Sequence, residues 1–354
     1  MTLRRITVQE LADACGLSRN TVSKVLNGRG SVPEATRQAV LNKAREIGFL
    51  QPAAIPTLKN APERPIIAML TSNMPEDSHF GTLFIPAFTG FVSRAGYTLV
   101  MYELTEEELR EKKLPGSVSL DKTAAFLAIE LFNEEYLEML GAIGLPMLLV
   151  DDCGGANSRL LKSDRIMMEN CASAAILTKH LIDRGAKRFG FVGDSGHCCS
   201  FQERRVAFEY TLWHDGIRLD PAMSICETDD AAYHDAGWIR SRLEAMPELP
   251  DAFFCANDYL AIQVMTALKQ MGVAIPQRVM VAGFDGTPQS GVVEPALTTA
   301  LIPVTKMSRV AATMLMSRIQ NPDREFCCTY VKTTPVFRAS TAKNPDAAGK
   351  KERT

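Results

Sequence analysis

Long apolar runs are missing from this chain of 354 residues. No stretch approaches the roughly 18 consecutive apolar residues of a membrane-spanning helix, and no apolar core follows Met1, so neither insertion nor secretion is expected. Also missing are the common catalytic and cofactor loops. There is no Walker loop, no dinucleotide glycine fingerprint after a strand, and no Ser/His/Asp order with nucleophile-elbow glycines. The nine Cys include no C-x2-C pair; His197-Cys198-Cys199 and Cys327-Cys328 set their thiols side by side, which does not suit zinc. No metal or cofactor is expected. An odd thiol count, with nothing routing it to an oxidising compartment, points to reduced cytoplasmic cysteines acting as small buried hydrophobes. The net charge is only −2, yet residues 1–60 hold nine Lys and Arg against four Asp and Glu, a net of +5 that leaves −7 for the rest. A basic amino-terminal segment on a mildly acidic body suits a nucleic-acid contact confined to one end.

That end is organised by Thr7–Asn27, TVQELADACGLSRNTVSKVLN. Thr7 and Glu10 have capping-box spacing, and Val8, Leu11, Ala12 and Cys15 recur as one apolar helical stripe. Gly16 can take the left-handed cap that ends this helix, and Ser18 is placed to start a second. On the second helix Val22, Val25 and Leu26 share a face, with Asn20, Lys24 and Asn27 opposite and Arg19 and Ser23 flanking. Two short helices joined by a glycine turn read as a helix-turn-helix; a three-helix domain with a merely solvated face is the plainer alternative. Lys and Arg can donate to guanine O6 and N7, and Asn pairs bidentately with adenine. Ser18, Thr21, Ser23 and Asn27 are small donors suited to phosphate oxygens.

After a loop at 28–31, Pro33 fits the first turn of a third helix, where Thr36, Val40, Ala44 and Ile47 keep helical spacing. Four prolines between 49 and 65 mark a linker. From Ile66 short apolar runs alternate with amphipathic ones. Strands are expected at 65–70, 97–102, 124–130 and 146–151, then at 189–193, 252–256 and 279–284. Helices are expected near 82–95, 104–113, 133–143, 171–184, 203–215 and 258–271. Buried strands separated by helices predict parallel sheets covered on both faces.

These residues resemble the LacI/GalR family of bacterial transcriptional regulators, over about Ile6 to Ser340. The match is most specific in ITVQELADACGLSRNTVSKVLNGRGSVPEATRQAVLNKAREIGF, PDAFFCANDYLAIQVMTALKQMGV and VMVAGFDGTPQSGVVEPALTTALIP. The resemblance implies an all-α helix-turn-helix headpiece (1–48), a hinge (49–64), and an α/β core of two doubly wound, periplasmic-binding-protein-like lobes (65–339). Lobe 1 is expected over 65–160 and 294–325, lobe 2 over 161–293 and 326–339, and a disordered tail from 340 to 354. It further implies a cytoplasmic homodimer that reads a pseudo-palindromic double-stranded operator, most simply as a repressor, under control of a small-molecule effector such as a sugar. Base-reading positions of the family fall on Arg19, Asn20 and Lys24, with Leu58 as the hinge wedge in the minor groove. Phosphate contacts fall on Thr7, Ser18, Thr21, Ser23, Asn27 and Ser31. Pro56 departs from the pattern, since inside a short hinge helix it costs on the order of 3 kcal/mol.

The family's effector positions match Phe80, Arg204, Asn257 and Asp285. Each of the last three sits past an expected strand end or at a helix start, where ligands bind in doubly wound folds. Arg, Asn and Asp together can bracket a polyol, and Phe80 could stack on a sugar face. The plainer alternatives are capping for Asn257 or Asp258, a surface ion pair with Glu203 for Arg204, and a turn for Asp285. Gly286 stands where the family usually has a second Asp, and Glu169-Asn170 where it usually has Asp-Asn. Two further functions compete: a regulator whose core is only a dimerisation or partner scaffold, and, more remotely, a metabolite enzyme with an appended DNA module.

Overall fold

The computed structural model describes residues 7–26, 32–46, 65–72, 80–154 and 161–342. Asn27, Ser31, Pro56, Leu58, the expected hinge over 49–64 and the stretch beyond 342 lie outside them. The chain forms two compact units, Met1–Glu63 and Arg64–Thr354.

The first unit holds α1 (Val8–Cys15), α2 (Arg19–Leu26) and α3 (Glu34–Glu46). The expected capping box is present: Glu10 N–H donates to Thr7 Oγ1 at 3.3 Å and Thr7 N–H to Glu10 Oε2 at 2.7 Å. Gly16, at φ 64°, ends α1, a conformation that costs a glycine little. Ser18 starts α2 by accepting Thr21 N–H at 3.1 Å. The three helices then bury Leu11, Ala12, Val22, Val25, Val40 and Ala44 against one another, the positions that helical spacing marks as apolar.

The second unit begins with β1 (Ile66–Thr71), α4 (Phe80–Arg94), β2 (Thr98–Glu103), α5 (Glu106–Glu111), β3 (Thr123–Ile129), α6 (Glu134–Ile143), β4 (Met147–Val150) and β5 (Asp164–Met168). It continues with α7 (Cys171–Asp183), β6 (Phe189–Val192), α8 (Cys199–His214), α9 (Ala236–Glu244), β7 (Ala252–Cys255), α10 (Asp258–Gln270) and β8 (Met280–Ala282). Last come α11 (Pro288–Val292), β9 (Thr299–Leu301), α12 (Val304–Gln320), β10 (Cys328–Val331) and β11 (Thr334–Val336). One six-stranded sheet, ordered β10-β5-β4-β3-β1-β2, is parallel throughout. The period of two along a strand decides what covers it. Ile67 and Met69 face a core shared with Phe84, Phe88 and Met307 of α4 and α12, while Ala68 and Leu70 face Tyr136, Leu137 and Leu140 of α6. The second lobe has a parallel sheet β6-β7-β8, with α7 packed on α8 and α9 on α10; β9 and β11 form an antiparallel pair.

Four expectations are corrected. Strand β5, assigned to lobe 2, lies in the six-stranded sheet of lobe 1, as does β10, while β9 belongs with β11 in lobe 2. The crossing points therefore follow Met168, Leu301 and Val331. The reason β5 escapes notice is its charged start, DRIM, which is tied down by a buried ion pair. Asp164 accepts Arg318 Nε at 2.9 Å, Arg324 Nη2 at 2.7 Å and Cys327 N–H at 2.9 Å. Ser340 and Thr341, assigned to a disordered tail, are instead buried: Ser340 Oγ donates to Val281 O at 2.6 Å and accepts Thr298 N–H at 2.8 Å.

Candidate functional site

Arg19, Asn20 and Lys24 are all exposed on α2, on the side away from buried Val22 and Val25. Thr21 is partly turned inward, and its hydroxyl lies 2.8 Å from Ser18 Oγ, so these two side chains serve the start of α2. Thr7 is likewise engaged as the α1 cap. Capping leaves hydroxyl lone pairs and backbone N–H groups at helix starts, the groups that meet phosphates.

In the core, Phe80, Arg204, Asn257 and Asp285 come together in one cleft of about 540 Å³ between the lobes. Arg204 does not reach Glu203. Only 2% exposed, it donates from Nε to Asn170 Oδ1 at 2.9 Å and from Nη1 to Ala256 O at 2.7 Å, and it lies 3.3 Å from Asp285 Oδ1. Its guanidinium also sits 3.9 Å over the Phe284 ring. Glu203 instead accepts from Asn170 Nδ2 and from the Tyr330 hydroxyl. Asn257 both lines the cleft and caps α10, accepting Leu260 N–H at 2.9 Å. Its amide nitrogen makes no hydrogen bond among the described residues. Asp258 is no cap: fully buried, it accepts Thr287 N–H at 2.8 Å and Thr299 Oγ1 at 2.5 Å, holding the turn that carries Asp285. Gly283 permits that approach, since a Cβ there would lie 2.6 Å from Asp258 Oδ1.

Several lining residues escape the sequence reading. Glu130 follows β3, Asp151 follows β4, and Asp194, His197 and Asp229 approach from lobe 2, with Phe132, Phe201, Tyr233 and Tyr259 as further aromatic wall. His197 Nδ1 lies 2.5 Å from Asp229 Oδ2. The His-Cys-Cys run thus contributes an imidazole to the cleft. Burial works against a charge on His197, but the Asp229 carboxylate, with Asp151 and Glu130 behind it, holds its pKa above the ordinary imidazole value. Burial pushes the Glu130 carboxyl up to about 7, with His197 and the Gly81 N–H only partly offsetting it. Asp151 and Asp285 are raised for the same first reason, Arg204 pulling back on both.

The backbone marks the same place. Among the described residues four non-glycines have positive φ, and three of them, Glu130 (49°), Asp151 (67°) and Asp285 (116°), line the cleft. Such conformations cost on the order of 1–3 kcal/mol each and collect at functional sites. All three follow strands directly or nearly so, at the carboxyl ends where open α/β sheets bind ligands.

Comparison with known proteins places this geometry. The model described as bacterial regulatory proteins, lacI family, matches residues 7–51, and that for the periplasmic binding protein-like domain matches 178–341. The HTH-type transcriptional repressor PurR of Vibrio atlanticus (strain LGP32) is 27% identical over 335 residues, 90% of this chain and 93% of that protein. Its counterpart from Photobacterium profundum is 25% identical over 321 residues, covering 90% and 93%. Among solved structures, a transcriptional regulator CelR–cellobiose complex aligns at TM-score 0.69 with 23% identity, covering 95% of this chain and all of that one. The lac repressor dimer bound to operator and the anti-inducer ONPF aligns at 0.67 with 19% identity, covering 96% and 99%; these two likenesses speak to the fold. A helix-turn-helix unit and a two-lobed α/β core in one chain define a DNA-binding transcriptional regulator. The chain thus joins a lacI-family regulatory domain to a periplasmic binding protein-like domain, the make-up of the LacI-family regulators, which are non-enzymatic DNA-binding repressors.

Proposed function

We propose that this protein is a homodimeric repressor whose two headpieces read the half-sites of a pseudo-palindrome, and whose operator affinity responds to a small molecule held between the lobes. One headpiece contacts too few bases for specificity, which favours two copies. Arg19, Asn20 and Lys24 read base edges, while Thr7, Ser18, Thr21 and Ser23 contact phosphates. What carries effector control is the convergence of Arg204, Asn257, Asp285 and Phe80 on one cleft together with three strained carboxylate-bearing residues. A core serving only as scaffold would have no reason to keep that strain. A ligand that prefers one lobe arrangement changes operator affinity, and operator changes ligand affinity by the same factor. A sugar or sugar derivative fits the cleft's size and its aromatic wall.

Sequencing the duplexes that the purified protein selects from a random pool tests the DNA half. A two-fold symmetric site is expected, and selection no better than random competitor at low salt refutes it. A thermal-shift screen with sugars, sugar phosphates and nucleosides tests the other half, since ligand at about 100 times its Kd adds about 2.7 kcal/mol. A flat response favours the scaffold alternative.

A further inference from the structure

We infer that the interlobe cleft takes an organic ligand bearing a positively charged amine, in preference to a neutral or phosphorylated one; this presupposes the effector site proposed above. Among the described residues five carboxylates, Glu130, Asp151, Asp194, Asp229 and Asp285, line the cleft, against Arg204 and His197 as cations. Those two cations are already engaged, Arg204 with Asp285 at 3.3 Å and His197 with Asp229 at 2.5 Å. Glu130, Asp151 and Asp194 have no ion pair among the described residues. Nearby Arg205 is directed elsewhere, to Glu209 at 2.7 Å and Ser195 Oγ at 3.2 Å.

The hydrogen-bond inventory agrees with the charge. Most protein donors are committed, Arg204 Nε and Nη1 to Asn170 and Ala256, Ser72 Oγ to Glu130 O, and the Tyr233 hydroxyl to Glu227 O, which leaves the Asn257 amide as a free donor among the described residues. What faces the ligand is a surplus of carboxylate lone pairs. An ammonium brings three donors and no acceptor, whereas each ligand hydroxyl adds lone pairs of its own that must also be satisfied. Phosphate is worse, because its charge has the sign of the walls. Phe80, Phe132, Phe201 and the two tyrosines add aromatic surface, which suits a cation where a ring face is offered. A metal is the poorer occupant, because no group of three His, Cys, Asp or Glu among the described residues is arranged to hold one.

Linkage supplies a second signature. With Glu130 and Asp285 raised to about 7 and Asp151 raised in the same direction, a bound ammonium favours their charged forms and displaces protons. The other titratable groups lining the cleft among the described residues are Asp194, Asp229, His197, Cys198, Arg204, Tyr233 and Tyr259.

Calorimetry on the full chain with two matched sets decides it: glucamine, glucitol and glucitol 6-phosphate, and ribitylamine, ribitol and ribitol 5-phosphate. The expected result is an amine bound at least about tenfold more tightly than its neutral and phosphorylated partners. Its affinity should rise about tenfold between roughly pH 6 and 8, with proton release seen as a buffer-dependent heat. In Glu130→Gln, and independently in Asp151→Asn should the first fail to fold, the amine preference should shrink. Equal or tighter binding of a neutral or phosphate member overturns the inference and leaves the effector site standing. No binding by any of the six overturns both.

Discussion

Replacing Glu130 by Gln should stabilise the core, and by an amount that depends on pH. The side chain sits partly buried at the end of β3, at φ 49°, with its carboxyl pKa lifted from 4.5 to about 7. Because the folded state binds the extra proton, this group's contribution is greatest below about pH 4.5, is lost as pH rises toward 7, and is flat above. A shift of about 2.5 pH units at about 1.36 kcal/mol each gives roughly 3 kcal/mol as the full cost of holding this carboxylate ionised. Gln keeps the shape, can still accept the Gly81 N–H, and carries no charge at any pH. Urea denaturation of both proteins near pH 5 and pH 8 is the assay. The variant should gain little at the lower pH and up to about 3 kcal/mol at the higher. Asp285 and His197 both feel the Glu130 charge, so the difference between the two proteins reads the coupled group rather than Glu130 alone. An equal difference at both pH values would refute the claim that desolvation, uncompensated by an ion pair, governs this residue.

Four other changes test separate parts of the structure. Asp164→Ala leaves Arg318, 2% exposed, without its carboxylate, and should cost about 3–5 kcal/mol in chemical denaturation. Arg204→Met should cost on the order of 3 kcal/mol by stranding Asp285 and the oxygens of Asn170 and Ala256, with Asp285→Asn restoring part of it in the same assay. In the headpiece, Leu11→Ala should lose about 2–5 kcal/mol, abolishing operator binding while the core's melting transition stays in place. Lys24→Ala or Asn20→Ala should weaken operator binding by about 1–3 kcal/mol and relax preference at one base position, read by competition with single-base variants; a uniform loss would make them phosphate contacts.

The headpiece was legible because its signals are local. Capping box, left-handed glycine and second cap each lie within a few residues of what they cap, and Thr7, Gly16 and Ser18 do what their spacing requires. Strands β1, β3 and β4 were equally plain, being apolar runs buried on both faces, and β2 at the sheet's edge was marked by its apolar run alone. β5, β9, β10 and β11 were not. They are short, carry Asp164, Arg165 or threonines, and owe their place to long-range partners such as the Asp164–Arg318 pair, 154 residues apart. Nothing local announces which lobe such a strand joins, so the lobe boundaries shifted with them.

The cleft shows the same division from the side of function. Arg204, Asn257 and Asp285 could be picked out by motif, but their duties were mixed: Asn257 caps a helix and still presents its amide, and Arg204 binds the protein more than it offers itself. Glu130 and Asp151 had a signal that went unused, a carboxylate at the close of an apolar run, AAFLAIE and PMLLVD. Charge there is ordinary if the chain turns outward into water. It becomes informative only with the left-handed backbone that keeps these residues at the cleft, and φ is not written in residue type. Strain at three positions and burial of their carboxylates, two of them without an ion pair, both work against folding, and both fall on one cavity. Two independent costs coincide at one place when something outside the free protein offsets them, and a bound cation would offset the electrostatic one.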